Sequence, residues 1–248
     1  MSFANKVVLI TGGSAGIGAK TAESFASEGA SVAIVGRNEA KLNLVATVCQ
    51  KLGATVLTIK ADISKDADAD SVVKKTIDKF GKLDVLVNNA GILREANVLS
   101  ENFLKTYDEV MDINMRGAVR ITYFAAPYLI KTKGNIVNVS SVAANCTSRA
   151  GNTAYRTSKA AMNHFTRCVA LDLAPHGVRV NSVSPGPVLT DIFEGLEVNA
   201  EKLRTCTALQ RVSEPVEIAD MIMYVASDKA IGATGSNYVV DNGMLLSS

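Results

Sequence analysis

The chain has 248 residues, of which 48% are hydrophobic and 20% are charged, and this is enough for a sizeable buried core. Its 26 basic and 24 acidic residues give a formal net charge of +2, and only 5% of the residues are aromatic, with no Trp. This balance argues against nucleic-acid partners, and no stretch reaches the roughly 20 apolar residues of a membrane span, so we expect no membrane partner either.

Short apolar runs alternate with helical patterns along the whole chain. The apolar runs are rich in β-branched residues, which is typical of strands buried on both faces of a parallel sheet. They predict seven strands, over residues 6–11, 31–35, 55–60, 84–88, 134–139, 178–183 and 238–241. The intervening patterns predict helices over 16–28, 39–52, 66–80, 153–174, 200–210 and 215–227, and a helical region over 101–132 that is interrupted near Asn114.

Strand, helix and strand repeat at a spacing that implies right-handed crossovers. We therefore predict an α/β fold of the Rossmann type, a doubly wound, seven-stranded parallel sheet with helices on both faces. No linker interrupts the pattern, so residues 1–248 are expected to form a single dinucleotide-binding and catalytic domain. Ligands of such sheets bind beyond the carboxyl ends of the strands, and the motifs below fall there or on the following helix.

A glycine-rich turn joins the first strand to the first helix. Gly12 allows the tight turn, Gly16 lets the backbone approach a phosphate, and Gly18 lets the helix pack closely on the sheet. The free N–H groups at the start of the helix favour a pyrophosphate. A plain tight turn would also use glycine, but the position between first strand and first helix favours a dinucleotide site.

The second strand ends at Gly36 and Arg37, where NAD-binding folds of this type place an acidic residue on the ribose hydroxyls. No acidic residue stands at this point of the sequence. The Arg37 guanidinium can bind a 2′-phosphate through charge-assisted hydrogen bonds and can stack on adenine, although an ordinary solvated arginine would look the same. The sequence therefore favours NADP(H) over NAD(H).

Tyr155 and Lys159 share one face of the long predicted helix, because they are separated by about one helical turn. A nearby cation lowers the pKa of a phenol, which is about 10 in free tyrosine and too high for efficient proton exchange at neutral pH. Ser140 and Ser141 end the fifth strand, where a hydroxyl faces the binding crevice. Taken singly, a Tyr–Lys pair at this spacing is more typical of a solvent-facing pair on a helix, and the two serines are equally typical of a turn. Their convergence on one crevice favours catalysis.

The ordered motifs TGGSAGIG, NNAG, Asn114, Ser141, YRTSK and PGPVLT resemble the short-chain dehydrogenase/reductase family, over essentially the whole chain. The resemblance implies a catalytic tetrad that works without a metal. In it, Ser141 holds the substrate oxygen and Tyr155 transfers the proton. Lys159 lowers the pKa of the tyrosine and binds the nicotinamide ribose, and Asn114 anchors a proton-relay water through its backbone.

The resemblance also implies contacts with the cofactor. At the phosphates and the adenosine, beside Arg37 and its neighbour Asn38, it implies Gly12, Ser14, Ile17, Gly18, Asp62 and Ile63. Along the rest of the cofactor it implies Asn89, Ala90, Gly91, Tyr155, Lys159, Pro185, Gly186, Val188 and Thr190. The backbone of Val188 and the hydroxyl of Thr190 are expected at the carboxamide.

Two positions depart from the commonest pattern of the family. The segment from Ser141 to Tyr155 is one residue longer than expected, so the loop 145–152 and the substrate pocket are expected to be reshaped. Position 242 is Asn, where a glycine is frequent. The segment 191–209 is expected to form a lid, whose apolar residues face either a hydrophobic substrate or the protein itself: Ile192, Phe193, Leu196, Val198 and Leu203.

The expected reaction interconverts a ketone and a secondary alcohol. The first expectation is an NADP(H)-dependent carbonyl reductase acting on a lipophilic ketone such as a ketosteroid. Alternatives are a reductase of 3-oxoacyl thioesters on an acyl carrier protein and a dehydrogenase of sugars or small alcohols. An epimerase or dehydratase is disfavoured by the lack of a larger C-terminal substrate domain, and a catalytically idle NADPH-binding regulator is disfavoured by the complete tetrad.

The four cysteines, Cys49, Cys146, Cys168 and Cys206, form neither a CxxC pair nor a set with metal-ligand spacing. We expect reduced thiols, no bound metal and a cytoplasmic location, since the N-terminus also lacks the charged start and cleavage site of a signal peptide. Similar members of the family are often homotetramers, or homodimers. The expected partners are therefore a small carbonyl or alcohol molecule and further copies of the chain.

Overall fold

The computed structural model describes residues 2–147, 150–193 and 200–246. Within these residues the strands are β1 Val7–Thr11, β2 Ser31–Gly36, β3 Val56–Lys60, β4 Val85–Asn88, β5 Asn135–Val139, β6 Arg179–Pro185 and β7 Asn237–Val240. They form a seven-stranded sheet in the order β3-β2-β1-β4-β5-β6-β7, and all neighbouring strands are parallel. The predicted α/β fold with a seven-stranded parallel sheet is confirmed.

Helices cover both faces of this sheet. They are α1 Gly16–Ser27, α2 Glu39–Lys51, α3 Asp66–Phe80, α4 Phe103–Met111, α5 Gly117–Thr132, α6 Thr153–Leu173, α7 Ala200–Thr205 and α8 Pro215–Ala226. Helices α1, α2 and α8 pack on the face that includes Val8 and Ile10 of β1, and α3, α5 and α6 pack on the face that includes Val7 and Leu9. Successive side chains of a strand point to opposite faces, so β1 has apolar residues throughout because both of its faces are buried.

Most predicted boundaries differ from the structure by one or two residues, but two helical regions differ more. The region 101–132 consists of α4, a π-helix over Asp112–Arg116 that contains Asn114, and α5. The helix predicted over 200–210 was wrong beyond Thr205. The Thr207 hydroxyl bonds with backbone groups of Arg204 and Arg211, and Gln210 has a φ of 51°, so the segment forms a closed turn instead.

Asn242 adopts the left-handed conformation that glycine favours, with a φ of 53°. Asparagine tolerates this conformation because its short polar side chain finds hydrogen bonds nearby, and here Nδ2 donates to Ser213 Oγ at 2.9 Å. The backbone carbonyl of Asn242 also accepts from the N–H of Leu209 at 3.1 Å. Asn242 therefore preserves the turn after β7, and its carbonyl fixes the segment that follows α7.

The four cysteines are free thiols. In the part of the chain that the structure describes, no cluster of His, Cys, Asp and Glu side chains is arranged to hold a metal ion. No helix of that part is long and apolar enough to cross a bilayer.

Candidate active site

The sheet changes direction of winding at β1, which pairs with β2 on one side and with β4 on the other. A cavity of about 1110 Å³ opens at the carboxyl ends of the central strands, where doubly wound sheets bind their ligands. Most of the predicted site residues line it: Gly12, Ser14, Ile17, Arg37, Asn38, Asp62, Ile63, Asn89, Ala90, Gly91, Ser141, Tyr155, Lys159, Pro185, Gly186, Val188 and Thr190.

Two predicted residues, Gly18 and Asn114, lie behind the wall of this cavity. A Cβ atom at Gly18 would stand 2.2 Å from the carbonyl oxygen of Gly12, so only glycine fits beneath the turn. The Asn114 side chain accepts from the N–H of Ile92 at 2.8 Å and donates to its carbonyl at 3.0 Å. Its Nδ2 also donates to Ser158 Oγ at 3.1 Å, which ties the loop after β4 to helix α6.

The turn between β1 and α1 forms a cradle of backbone atoms. Gly12 and Gly16 have φ values of 66° and 53°, and a Cβ atom at Gly16 would meet the Thr190 side chain at 2.9 Å. Asn89 Nδ2 donates to the carbonyls of Thr11 and Gly12 at 3.0 and 3.1 Å and thereby fixes the turn. A cradle without side chains at the start of a helix fits the pyrophosphate of a dinucleotide.

The end of the cavity beside β2 carries basic side chains. Arg37 is exposed there, and Lys41, which the sequence analysis did not single out, also lines this end. Lys41 Nζ lies 2.5 Å from Asp191 Oδ2, so this ion pair joins α2 to the start of the predicted lid. The neighbouring carboxylate of Glu39 is paired with Lys60 at 3.2 Å. The residues at this end fit the phosphate that distinguishes NADP from NAD.

Three side chains that the sequence analysis predicts to be catalytic, those of Ser141, Tyr155 and Lys159, lie together at the far end of the cavity. Helix α6 places Tyr155 and Lys159 one turn apart, and Lys159 Nζ lies 5.7 Å from the centre of the Tyr155 ring. Nζ also donates to the carbonyl of Val139 at the end of β5, at 2.8 Å. The Ser141 side chain lies close enough to the Tyr155 hydroxyl to lower its pKa, and the Ser141 hydroxyl accepts from the N–H of Ala143 at 3.1 Å.

Burial controls the ionisation of these groups. It raises the pKa of the Tyr155 phenol, and the nearby Ser141 side chain partly opposes this. Burial also lowers the pKa of Lys159, from 10.5 to about 8. At neutral pH the phenol is therefore neutral and the lysine is mostly an ammonium ion, which are the protonation states that suit proton donation to a carbonyl oxygen.

The wall beside Tyr155 includes residues that the sequence analysis did not assign to the site. Arg156 lines it, and its Nη1 donates to the carbonyl of Cys146. Arg156 stands inside the YRTSK motif, but it points about 100° away from Tyr155 around the helix axis, so periodicity alone did not reveal it. The other polar and sulfur-containing residues are Arg94, Glu95, Asn152, Cys206 and Met244.

The predicted lid is described in part. Ile192, Phe193 and Leu203 line the cavity, so these apolar residues face the ligand side. Leu196 and Val198 lie outside the described residues. Further apolar residues of the same wall are Ile92, Leu93 and Val142.

Comparisons with known proteins agree with this geometry. A family model described as enoyl-(acyl carrier protein) reductase matches residues 12–245. A 3-oxoacyl-[acyl-carrier-protein] reductase from Synechocystis sp. is 36% identical over 245 residues, covering 97% of this chain and 97% of that protein. A meso-2,3-butanediol dehydrogenase from Serratia marcescens is 35% identical, with coverages of 98% and 96%.

A solved structure extends the comparison to three dimensions. The crystal structure of a short chain dehydrogenase from Burkholderia cenocepacia in complex with NADP matches with a TM-score of 0.92 at 32% identity. The match covers 99% of this chain and 100% of that one. The chain therefore belongs to the short-chain dehydrogenase/reductase family of oxidoreductases.

Proposed function

We propose that this oxidoreductase uses NADP(H) to interconvert a ketone and a secondary alcohol. The observation that carries the proposal is the convergence of Ser141, Tyr155 and Lys159 on the cavity into which the dinucleotide cradle opens. Ser141 supplies a hydrogen-bond donor, Tyr155 a proton donor and Lys159 a cation. Together these groups can stabilise a carbonyl oxygen while it gains a proton.

Each side chain then has a distinct role. A bound nicotinamide supplies the hydride for reduction of the carbonyl carbon, or accepts it in the reverse direction. Ser141 hydrogen-bonds the substrate oxygen, and Tyr155 donates its proton to that oxygen in reduction and regains it in oxidation. The Lys159 ammonium stabilises the phenolate that remains, and the Asn114 backbone holds the water that passes a proton back.

Three observations support NADP(H) as the preferred cofactor. Arg37 follows β2 directly, Lys41 lies one helical turn further, and no carboxylate stands at position 36 or 37. The carboxylate that would repel a 2′-phosphate and bind the ribose hydroxyls of NAD is therefore missing from that strand end. The Burkholderia cenocepacia structure, which is described as a complex with NADP, is consistent with this preference.

The apolar wall formed by Leu93, Phe193 and Leu203 supports a lipophilic ketone as substrate, with ketosteroids as one class to test. A 3-oxoacyl thioester is the second candidate, because the matching family model and the Synechocystis relative are both named for acyl-carrier-protein substrates. Small diols are a third class, in view of the Serratia relative.

We also propose that the active form is a homotetramer. Tyr123 on α5 and Leu171 on α6 are 72% and 77% exposed in the single chain. Contacts between subunits through α5 and α6 would remove these two apolar side chains from water.

The test is carbonyl-dependent oxidation of NADPH and of NADH, followed by absorbance with a panel of ketosteroids, diketones, sugars and 3-oxoacyl thioesters. We expect NADPH to be used faster, and we expect Tyr155→Phe to lose most turnover while it still binds NADPH in a fluorescence titration. Arg37→Asp should shift the preference toward NADH by about tenfold or more, because it replaces an attractive charge with a repulsive one.

Unchanged turnover in Tyr155→Phe would refute the role of the phenol. An NADPH/NADH ratio that Arg37→Asp leaves unaltered would refute the phosphate contact. If the protein binds the cofactor but no carbonyl of the panel oxidises it, the result would instead favour a catalytically idle NADPH-binding regulator.

A further inference from the structure

We infer that Arg156 binds a carboxylate of the substrate, so that the ketone and alcohol interconverted here are an oxo acid and the matching hydroxy acid. The inference rests on the proposed function, because Ser141 and Tyr155 of the same site place the reacting oxygen. Arg156 would provide a second binding contact for the substrate, besides the contacts at the reacting oxygen. Among the substrates that fit the apolar wall, it would favour those with a carboxylate.

The Arg156 guanidinium has more hydrogen-bond donors than the described part of the chain satisfies. Nη1 donates to the carbonyl of Cys146 and lies 3.9 Å from its Sγ, which is a weak acceptor. Nε is buried and has no hydrogen-bond partner among the described residues, so a ligand in the cavity would bind through the terminal nitrogens.

The charge of Arg156 also lacks a partner among the residues that the structure describes, since no Asp or Glu carboxylate there forms an ion pair with it. Other arginines differ in this respect. Arg94, which lines the same cavity, lies 3.6 Å from Glu109. Arg120 also has a buried Nε without a partner, but its other nitrogens contact Asp66 and Asp70 at 3.2 and 2.6 Å.

An anion in the cavity would supply what Arg156 lacks. A carboxylate is planar and accepts two parallel N–H bonds from a guanidinium, which a single carbonyl oxygen cannot do.

Arg156 and Tyr155 are consecutive residues of α6 and both line the cavity, so one substrate molecule can contact both side chains. The apolar residues Leu93 and Phe193 then contact its remaining carbon atoms.

The experiment compares acetoacetate and levulinate with their methyl esters, using kcat/KM with NADPH. We expect the unmodified enzyme to prefer each acid over its ester, and we expect Arg156→Gln to lower the acid-to-ester ratio by about 10- to 100-fold, the usual effect of losing a charge-assisted pair. Arg156→Lys keeps the charge and should recover part of the ratio. The matched control is Arg167→Gln, which removes an exposed guanidinium from the same helix and should leave the ratio unchanged.

An equal preference for acid and ester in the unmodified enzyme would overturn the inference. So would a ratio that Arg156→Gln does not alter, even if turnover falls, because Arg156 would then act only by holding the loop at Cys146. Pentanoate and pentanamide provide a readout that needs no turnover, through their effect on the fluorescence of enzyme-bound NADPH. If no carbonyl is reduced but Arg156→Gln abolishes pentanoate binding alone, the proposed function fails and the carboxylate site stands.

Discussion

Lys159 occupies a place in the fold that disfavours its charge. The residue is 4% exposed, and its ammonium donates a hydrogen bond to the Val139 carbonyl. Burial lowers its pKa to about 8, so at neutral pH the protein keeps a charged group where a neutral one would be more stable. Such a cost is common where a residue is retained for chemistry.

Lys159→Met should therefore stabilise the protein while it abolishes turnover. The pKa of Lys159 is lower in the folded chain than the ordinary 10.5, so the cost of burying its charge is fully present below pH 8 and fades between pH 8 and 10.5. We expect the substitution to raise the free energy of unfolding at pH 7 by up to about 3 kcal/mol. Urea denaturation at pH 7 and pH 10 measures this, and a gain that persists undiminished at pH 10 would contradict the explanation.

The sequence predicted candidate site residues where local geometry requires one residue type. Gly18 is an example, because its position beneath the carbonyl of Gly12 allows no Cβ atom. Arg156 and Lys41 were missed because their roles depend on where long side chains end, beside Cys146 and Asp191. Those partners are brought near by the fold, and no local pattern encodes them.

The start of helix α8 shows how an element boundary is stabilised. Pro215 occupies the first turn, as predicted, and the Glu217 carboxylate accepts from the N–H of Glu214 at 2.7 Å. Arg211 donates to both oxygens of Glu217, at 2.8 and 2.6 Å. The Arg211 guanidinium and then the Glu214 N–H lower the pKa of Glu217 to about 2.

Glu217→Ala should lower the free energy of unfolding by about 1–2 kcal/mol at pH 7, since it removes a cap and an ion pair. Because the pKa of Glu217 is depressed from 4.5 to about 2, this stabilisation is present above pH 4.5 and is lost as the pH falls toward 2. Glu217→Gln keeps the cap but loses the charge. Its deficit in thermal stability should shrink between pH 7 and pH 3, and an equal deficit at both would show that the ion pair contributes nothing.

Strands were easier to predict than helix ends. A strand buried on both faces must be apolar throughout, as β1 is, so its pattern follows from its place in the sheet. The π-helix at Asp112–Arg116 contains Asn114, whose side chain bonds with the distant Ile92. Helix α7 ends at Thr205, where the Thr207 hydroxyl bonds with backbone groups of Arg204 and Arg211. Periodicity within the helix does not report such bonds.

At the scale of the whole molecule, the exposed faces of α5 and α6 give the proposed tetramer a test. Light scattering should give a mass about four times the 26.1 kDa of one chain, because covering Tyr123 and Leu171 removes apolar surface from water. Leu171→Glu should reduce the mass. Leu44→Glu, at a residue that is 69% exposed on α2, is the control and should leave it unchanged. A single-chain mass for the unmodified protein would refute the tetramer.

The all-parallel sheet also determines how the chain reaches its active form. Parallel neighbours cannot be joined by tight hairpins, and β1 pairs with β4 in a register that brings Val8 beside Val85. Closing such long loops costs entropy before the contacts form, so folding is slow compared with that of helical bundles. Since the site draws on residues from Gly12 to Thr190, activity returns during refolding only when nearly the whole sheet has assembled.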